Sequence, residues 1–118
     1  MEQKKTCPLQ KKNCGGCPQL SLPYARQLAA KQERVEKLLR PFCPVRPIIG
    51  MENPWHYRNK VISTFAPGPG GRLTSGIYAA GSHRVLPVES CLLQDETADK
   101  VLEAARAAAN ECRLQPYN

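Results

Sequence analysis

Residues 58–89, RNKVISTFAPGPGGRLTSGIYAAGSHRVLPVE, contain three short β-type segments separated by two turn signals. The first segment alternates and is rich in β-branched side chains, which predicts a strand over residues 59–66. PGPGG predicts a tight turn, RLTSGIYAA a returning strand, and Gly81-Ser82 a second turn. HRVLPVE predicts a third strand, which Pro87 restricts to a sheet edge or a strand end. These residues therefore predict a small antiparallel sheet.

Helical patterns flank this region on both sides. A first helix is predicted over residues 21–42, with Ser21 as its cap, Pro23 in its first turn and Pro41 and Pro44 as its stop signals. A second helix is predicted from about Asp95 to Cys112. The apolar face of the first comprises Leu28, Val35, Leu39 and Phe42, and that of the second Ala98, Val101, Leu102, Ala105, Ala109 and Cys112.

The predicted fold class is α+β, with an antiparallel sheet of three to four strands, two flanking helices and an N-terminal cysteine-rich cluster loop. A fourth strand, at the sheet edge, is predicted at residues 48–51. The predicted organisation is a loose tail at residues 1–6 and a cluster loop up to residue 20, a helix at 21–42, and an α+β region at 43–118. The chain ends at LQPYN without a capping element, which indicates a fragment of a larger protein.

Composition limits the classes of function. The 118 residues are 42% hydrophobic but contain no apolar run long enough to span a membrane, and the N-terminus MEQKKTC is too polar for a signal peptide. A cytoplasmic location with reduced thiols is therefore expected. The net charge of +7 lies mostly in residues 1–40, which hold nine Lys and Arg residues against three acidic residues. This imbalance is compatible with a polyanionic partner such as nucleic acid, or with a solvated tail.

Three cysteines lie close together in TCPLQKKNCGGCPQL, Thr6–Leu20. A C-x-x-C pair lets two thiolates converge on one metal centre, and the intervening Gly15 and Gly16 can adopt conformations that other residues avoid. Nearby lysine charges favour thiolate over thiol. Cys7, Cys14 and Cys17 are therefore predicted metal ligands, in preference to three inert buried residues.

The spacing of the cysteines alone does not identify the metal or its fourth ligand. Zinc sites usually show two C-x-x-C pairs, whereas a distant fourth cysteine is typical of many iron–sulfur clusters. Cys43 ends the first helix and Cys112 falls on the apolar stripe of the second, where core packing is its expected role. Cys91 lies between a strand and a helix, in a loop that can return to the first three thiols. Its position therefore favours Cys91 as the fourth ligand.

Three stretches together resemble the RNA uracil-5-methyltransferase family. These are CPLQKKNCGGCPQLSLPYARQLAAKQERVEKLL, PWHYRNKVISTF and GIYAAGSHRVLPVESCLLQ, which cover residues 7 to 112 almost completely. The resemblance implies a region of an S-adenosylmethionine (SAM)-dependent enzyme that makes 5-methyluridine, in its 23S ribosomal RNA branch. It implies a [4Fe–4S] cluster held by Cys7, Cys14, Cys17 and Cys91, and a partner domain, absent here, that carries the SAM site and the catalytic residues.

The same resemblance assigns RNA recognition to this region, which alone is expected to be inactive. Base chemistry requires the target base to leave its stack, so the enzyme must grip the RNA around it. The expected RNA-contacting residues are Tyr57, Arg58, Lys60, His83 and Arg84. Trp55 and Tyr57 could instead belong to the core, and His83 could be structural. A stand-alone zinc-binding nucleic-acid module and a small iron–sulfur electron carrier are the alternative interpretations.

Overall fold

The computed structural model describes residues 6–117. Two helices, α1 (Tyr24–Leu39) and α2 (Glu96–Glu111), accompany three strands, β1 (Thr64–Pro67), β2 (Leu73–Tyr78) and β3 (Val85–Pro87). The strands form one antiparallel sheet in the order β1-β2-β3, which confirms the predicted α+β class. The residues divide into two compact units, one of residues 19–54 and one that joins residues 6–18 to residues 55–117. Most of the predicted N-terminal tail lies outside the described residues.

The turn between β1 and β2 follows directly from its glycines. Pro69–Gly71 forms a single 3-10 turn, and Gly70 and Gly71 have φ angles of 67° and 72°. Side chains avoid this left-handed region, so PGPGG can reverse the chain where most sequences could not. Gly68 closes the turn by donating its amide to the carbonyl of Arg72 at 2.7 Å. β1 and β2 then pair from Pro67–Leu73 to Thr64–Gly76.

The core of the unit that joins residues 6–18 to residues 55–117 lies around the β2–β3 pair. Ser75 is completely buried and Leu86 is 2% exposed. At Gly76 a Cβ atom would overlap the carbonyl oxygen of Leu86, so only glycine permits this close approach of the two strands. The remaining buried residues of the described chain are Gly76 itself, Ala79, Leu93 and Gln94.

Helix α2 meets the sheet largely through polar groups. Asn110 accepts the Leu73 amide at 2.7 Å and donates to the Leu73 carbonyl at 3.1 Å, while Arg106 donates to the Ser75 hydroxyl at 3.0 Å. The predicted apolar stripe is therefore partly wrong, because Val101 is 61% exposed and Ala105 and Cys112 are exposed as well. The backbone of Leu73 needs hydrogen-bond partners, and the turn of α2 that faces it supplies them.

Helix boundaries differ modestly from their predictions. Helix α2 begins after Asp95, whose side chain accepts the Thr97 amide at 2.8 Å, in agreement with the predicted start. Helix α1 begins at Tyr24 with Pro23 as its N-cap and no side-chain cap, so the cap predicted at Ser21 is wrong. It ends at Leu39, three residues before the predicted end.

In the unit of residues 19–54, the segment after α1 returns along the helix. Gln32 accepts the Ile48 amide at 2.7 Å and donates to the Arg46 carbonyl at 3.2 Å, and the Tyr24 hydroxyl accepts the Met51 amide at 2.9 Å. The edge strand predicted at residues 48–51 is not formed, because helix side chains satisfy these backbone groups. Throughout residues 6–117, no helix combines the length and the apolar character needed to cross a membrane.

Candidate metal centre

The cysteine loop (residues 7–17) is bound to the far end of β2. Cys14 forms an antiparallel bridge with Ala79, the Gly15 amide donates to the Tyr78 carbonyl at 3.1 Å, and the Ala80 amide donates to the Asn13 carbonyl at 2.8 Å. A 3-10 turn at Gln10–Lys12 precedes this bridge. The loop thus extends the sheet by a short antiparallel segment.

The loop occupies a position that β1 leaves open. The strand was predicted from residue 59, but β1 begins only at Thr64, where it pairs with Gly76. Alternate residues of a strand direct their backbone groups to opposite neighbours, so Tyr78 and Ala80 point to the same side as Gly76. Beyond Gly76 that side has no β1 partner, and the cysteine loop satisfies it instead.

The two glycines of the C-G-G-C motif have different roles. A Cβ atom at Gly15 would lie 2.9 Å from the carbonyl oxygen of Tyr78, so the contact with β2 requires glycine. A Cβ atom at Gly16 would meet the Cys14 sulfur at 3.6 Å, an ordinary contact. Neither glycine has a positive φ, so the conformational freedom that the motif allows is not used there; the left-handed residue of the loop is Asn13, at φ 59°.

Cys91 lies in the connection between β3 and α2, and hydrogen bonds hold this connection at several points. The Cys91 amide donates to the carboxylate of Asp99 at 2.9 Å. Further along, the amide of Arg58 donates to the Leu93 carbonyl at 2.8 Å and the carbonyl of Arg58 accepts the Asp95 amide at 2.9 Å. The connection is therefore paired with the segment that contains Arg58.

The thiols of Cys7, Cys14 and Cys91 come close enough to Cys17 to act on it electrostatically. Burial raises the pKa of the Cys17 thiol, and the neighbouring thiols of Cys14, Cys7 and Cys91 raise it further, while the positive charge of Arg58 acts in the opposite direction. All four cysteines are partly buried. We call Cys7, Cys14, Cys17 and Cys91 the four-thiol group.

The other two cysteines are more exposed than the four-thiol group. Cys43 and Cys112 are both exposed, so the core-packing role predicted for Cys112 is wrong. Within residues 6–117, no three Cys, His, Asp or Glu side chains are arranged to hold a single metal ion in common.

The five residues predicted to contact RNA are all accessible. Arg58, Lys60, His83 and Arg84 are exposed, and Tyr57 is 45% exposed. The His83 ring meets the Tyr78 ring edge-on at a centroid distance of 5.4 Å. An open depression of about 490 Å³ lies on the same part of the sheet, lined by Gly15, Ile62, Thr64 and residues 76–82.

The residues around this predicted RNA segment have structural roles. Trp55 and His56 are partly buried. His56 has a φ of 52°, and its Nδ1 lies 2.9 Å from the Gln94 carbonyl while its Nε2 lies 3.9 Å from Glu96. The segment therefore offers Tyr57 and its basic neighbours to solvent while His56 anchors it to the connection before α2.

Several residues that shape the site had no recognisable signal in the sequence. Asp99 resembled any acidic residue in a helix N-terminal turn, yet it orients the Cys91 amide. Gln94 is 6% exposed and its side-chain oxygen is buried without a hydrogen-bond partner among the described residues. Both roles depend on contacts that only the folded chain creates.

No family model matches the chain. Curated proteins, however, are similar to the chain. The chain is 35% identical over 117 residues to an uncharacterized RNA methyltransferase of Bacillus cereus, and 36% identical over 110 residues to one of Halalkalibacterium halodurans. A third, from Caldanaerobacter subterraneus subsp. tengcongensis, is 37% identical over 110 residues. These alignments cover 89–95% of this chain but only 24–25% of each relative. The chain spans about a quarter of the length of the curated relatives it matches, and over nearly all of its own length it is a homologue of proteins named RNA methyltransferases.

Proposed function

We propose that this chain is the cluster-bearing, RNA-docking region of a SAM-dependent RNA uracil-5-methyltransferase that makes 5-methyluridine in 23S ribosomal RNA. The observation that carries the proposal is the four-thiol group beside an exposed aromatic and basic segment. Homology to proteins named RNA methyltransferases supports the general class. The uracil target and the ribosomal RNA follow from the motif resemblance, and the proposed location is the cytoplasm, where thiols stay reduced.

In this proposal Cys7, Cys14, Cys17 and Cys91 hold a [4Fe–4S] cluster. The donor set fits, because the thiols of Cys7, Cys14 and Cys91 act on Cys17 and all four are partly buried, so that two distant segments supply the four thiolates that such a cluster needs. When bound, the cluster would cross-link the cysteine loop to the connection before α2, so that its binding energy would stabilise the fold.

The proposed RNA surface consists of Tyr57, Arg58, Lys60, His83 and Arg84. Arginine and lysine neutralise phosphates, and an exposed tyrosine offers a face on which an unstacked base can rest. This chain would hold the RNA around the target uridine while the base leaves its stack. In the proposal, the SAM site, the nucleophile and the general base belong to the remaining length of the relatives, so the fragment alone would not transfer a methyl group.

The metal content of the chain tests the first part of the proposal. After purification without oxygen, about four irons and four sulfides per chain are expected. Cys91→Ser should lose the metal, whereas the matched variant Cys112→Ser should retain it, because Cys112 is exposed outside the four-thiol group. One zinc without sulfide would favour a structural zinc module. Retention in Cys91→Ser together with loss in Cys112→Ser would refute the ligand assignment.

Salt-dependent RNA binding tests the second part. The double variant Arg58→Ala, Lys60→Ala should bind a ribosomal RNA fragment more weakly, and its slope of log K against log salt should be shallower by roughly 1 to 2 units, because two phosphate contacts are lost. The control Lys31→Ala, Lys37→Ala removes the same charge from exposed positions of α1. An equal change in both variants would show that only net charge matters.

A further inference from the structure

Arg58 is joined to both segments that supply the four thiols. Its backbone amide and carbonyl bind Leu93 and Asp95, in the connection that contains Cys91. Its side chain reaches the other segment, where Nη1 donates to the Gly16 carbonyl at 3.3 Å, one residue before Cys17. One residue therefore contacts the cysteine loop and the Cys91 connection.

The guanidinium also brings charge to the thiols. The hydrogen bond from Nη1 to the Gly16 carbonyl holds this positive charge beside the cysteine loop, at the residue that precedes Cys17. A cation at this position offsets the mutual repulsion of thiolates, which otherwise favours their separation. Within residues 6–117 the bond to Gly16 is the hydrogen bond of this side chain, and it uses one of five N–H donors.

We propose that Arg58 is a positioning residue of the four-thiol group, which fixes the cysteine loop against the Cys91 connection and sets the charge beside the thiolates. The inference rests on the proposed function, because it concerns the same site. It adds a second role to a residue that the motif resemblance implicates only in RNA contact. Arginine suits both roles, since its planar fork can bind a carbonyl with one edge while other donors stay available to a phosphate.

The test compares Arg58→Ala, Arg58→Gln and Arg58→Lys with Lys60→Ala in the full chain. Lys60 is an exposed basic residue two positions away, so its removal is a matched control for charge. All three Arg58 variants keep the backbone bonds to Leu93 and Asp95, so the segment can still pair. Arg58→Gln retains a donor for Gly16 without the charge, and Arg58→Lys retains the charge without the fork.

The first measurement follows metal loss. In anaerobically reconstituted protein, Arg58→Ala should release iron to a chelator roughly tenfold faster than wild type, at the lower end of the effect of outer-shell partners. Arg58→Ala should also lower the reduction potential of the cluster, because a nearby positive charge is removed, and Arg58→Lys should restore it. Lys60→Ala should leave the release rate unchanged. A purely structural role would not produce the rescue of the potential by lysine.

The second measurement needs no metal. Exchange of the Gly15 amide hydrogen, which is bonded to Tyr78, reports how firmly the cysteine loop is held. In metal-free protein, Arg58→Ala should raise its exchange rate roughly two- to tenfold, as expected for one lost hydrogen bond, and Arg58→Gln should raise it less. Wild-type protein that binds no metal would refute the proposed cluster but leave this comparison decisive for Arg58. Exchange and iron release in Arg58→Ala equal to those of Lys60→Ala would overturn the inference.

Discussion

Replacement of Gly15 by alanine should release the cysteine loop from the sheet. The new Cβ would lie 2.9 Å from the Tyr78 carbonyl oxygen, a backbone atom that cannot move aside. The loop would have to shift, and its two bonds, Gly15 to Tyr78 and Ala80 to Asn13, would be lost. At about 1 kcal/mol net for each, the cost is about 2 kcal/mol. Reduced freedom of the unfolded chain returns about 0.4–1 kcal/mol.

The net loss of about 1–1.5 kcal/mol corresponds to about a tenfold rise in local opening. Hydrogen exchange at the Ala80 amide measures this opening, because the Ala80 residue itself is unchanged. Gly16→Ala is the matched control, since its Cβ would lie 3.6 Å from the nearest atoms and its φ is not positive. That variant should exchange at the wild-type rate or more slowly. Equal exchange rates in Gly15→Ala and wild type would refute the close-approach argument.

Three other substitutions probe contacts outside the cysteine loop. Asn110→Ala should destabilise the sheet unit by about 2 kcal/mol in a denaturant titration, because both backbone groups of Leu73 lose their partner. Asp95→Asn should keep the helix cap but remove the contribution of this carboxylate to the pH dependence of the free energy of unfolding. Hydrogen bonds to the cap lower the pKa of Asp95 below its ordinary 3.8, so its contribution is present above that value and lost as the pH falls through the lowered pKa. Gln32→Ala should raise hydrogen exchange at the Ile48 amide.

Each of these expectations has a clear contrary result. A Glu103→Ala control, at an exposed position of α2, should leave the unfolding midpoint unchanged. A loss of stability in Glu103→Ala equal to that in Asn110→Ala would refute the role of Asn110 in binding the backbone of Leu73. Unaltered acid sensitivity in Asp95→Asn would assign the effect to another carboxylate. Wild-type protection of Ile48 in Gln32→Ala would mean that the returning segment is held by other contacts.

The regular elements were predictable because their signals are local. The turn signals PGPGG and Gly81-Ser82 located the strands β2 and β3, and the acidic residue Asp95 marked the start of α2. The start of β1 was not predictable, because residues 59–63 have a strand-like pattern but the cysteine loop occupies their place beside β2. Competition between two distant segments for one strand edge leaves no trace in the pattern of either segment.

In the candidate site, too, the features with local sequence signals were predictable and those that depend on tertiary contacts were not. The three clustered cysteines and Cys91 could be selected from spacing and position, and in the structure the other three thiols act electrostatically on Cys17. The outward turn of Cys112 could not be foreseen, because a helical period fixes which residues share a face but not which face meets the sheet. On α2 that choice is made by Arg106 and Asn110, whose partners are backbone and hydroxyl groups of β2.

The Cys14–Ala79 bridge also has a consequence for the order of events during synthesis. The cysteine loop leaves the ribosome before β2, β3 and Cys91. At 5–20 residues per second, roughly 4 to 15 seconds separate the synthesis of Cys17 from that of Cys91. Throughout that interval the first three thiols lack the fourth thiol, and for most of it they also lack the strand that holds their loop. Completion of the site is therefore timed by the sheet, and the nascent loop is most vulnerable to oxidation before the sheet forms.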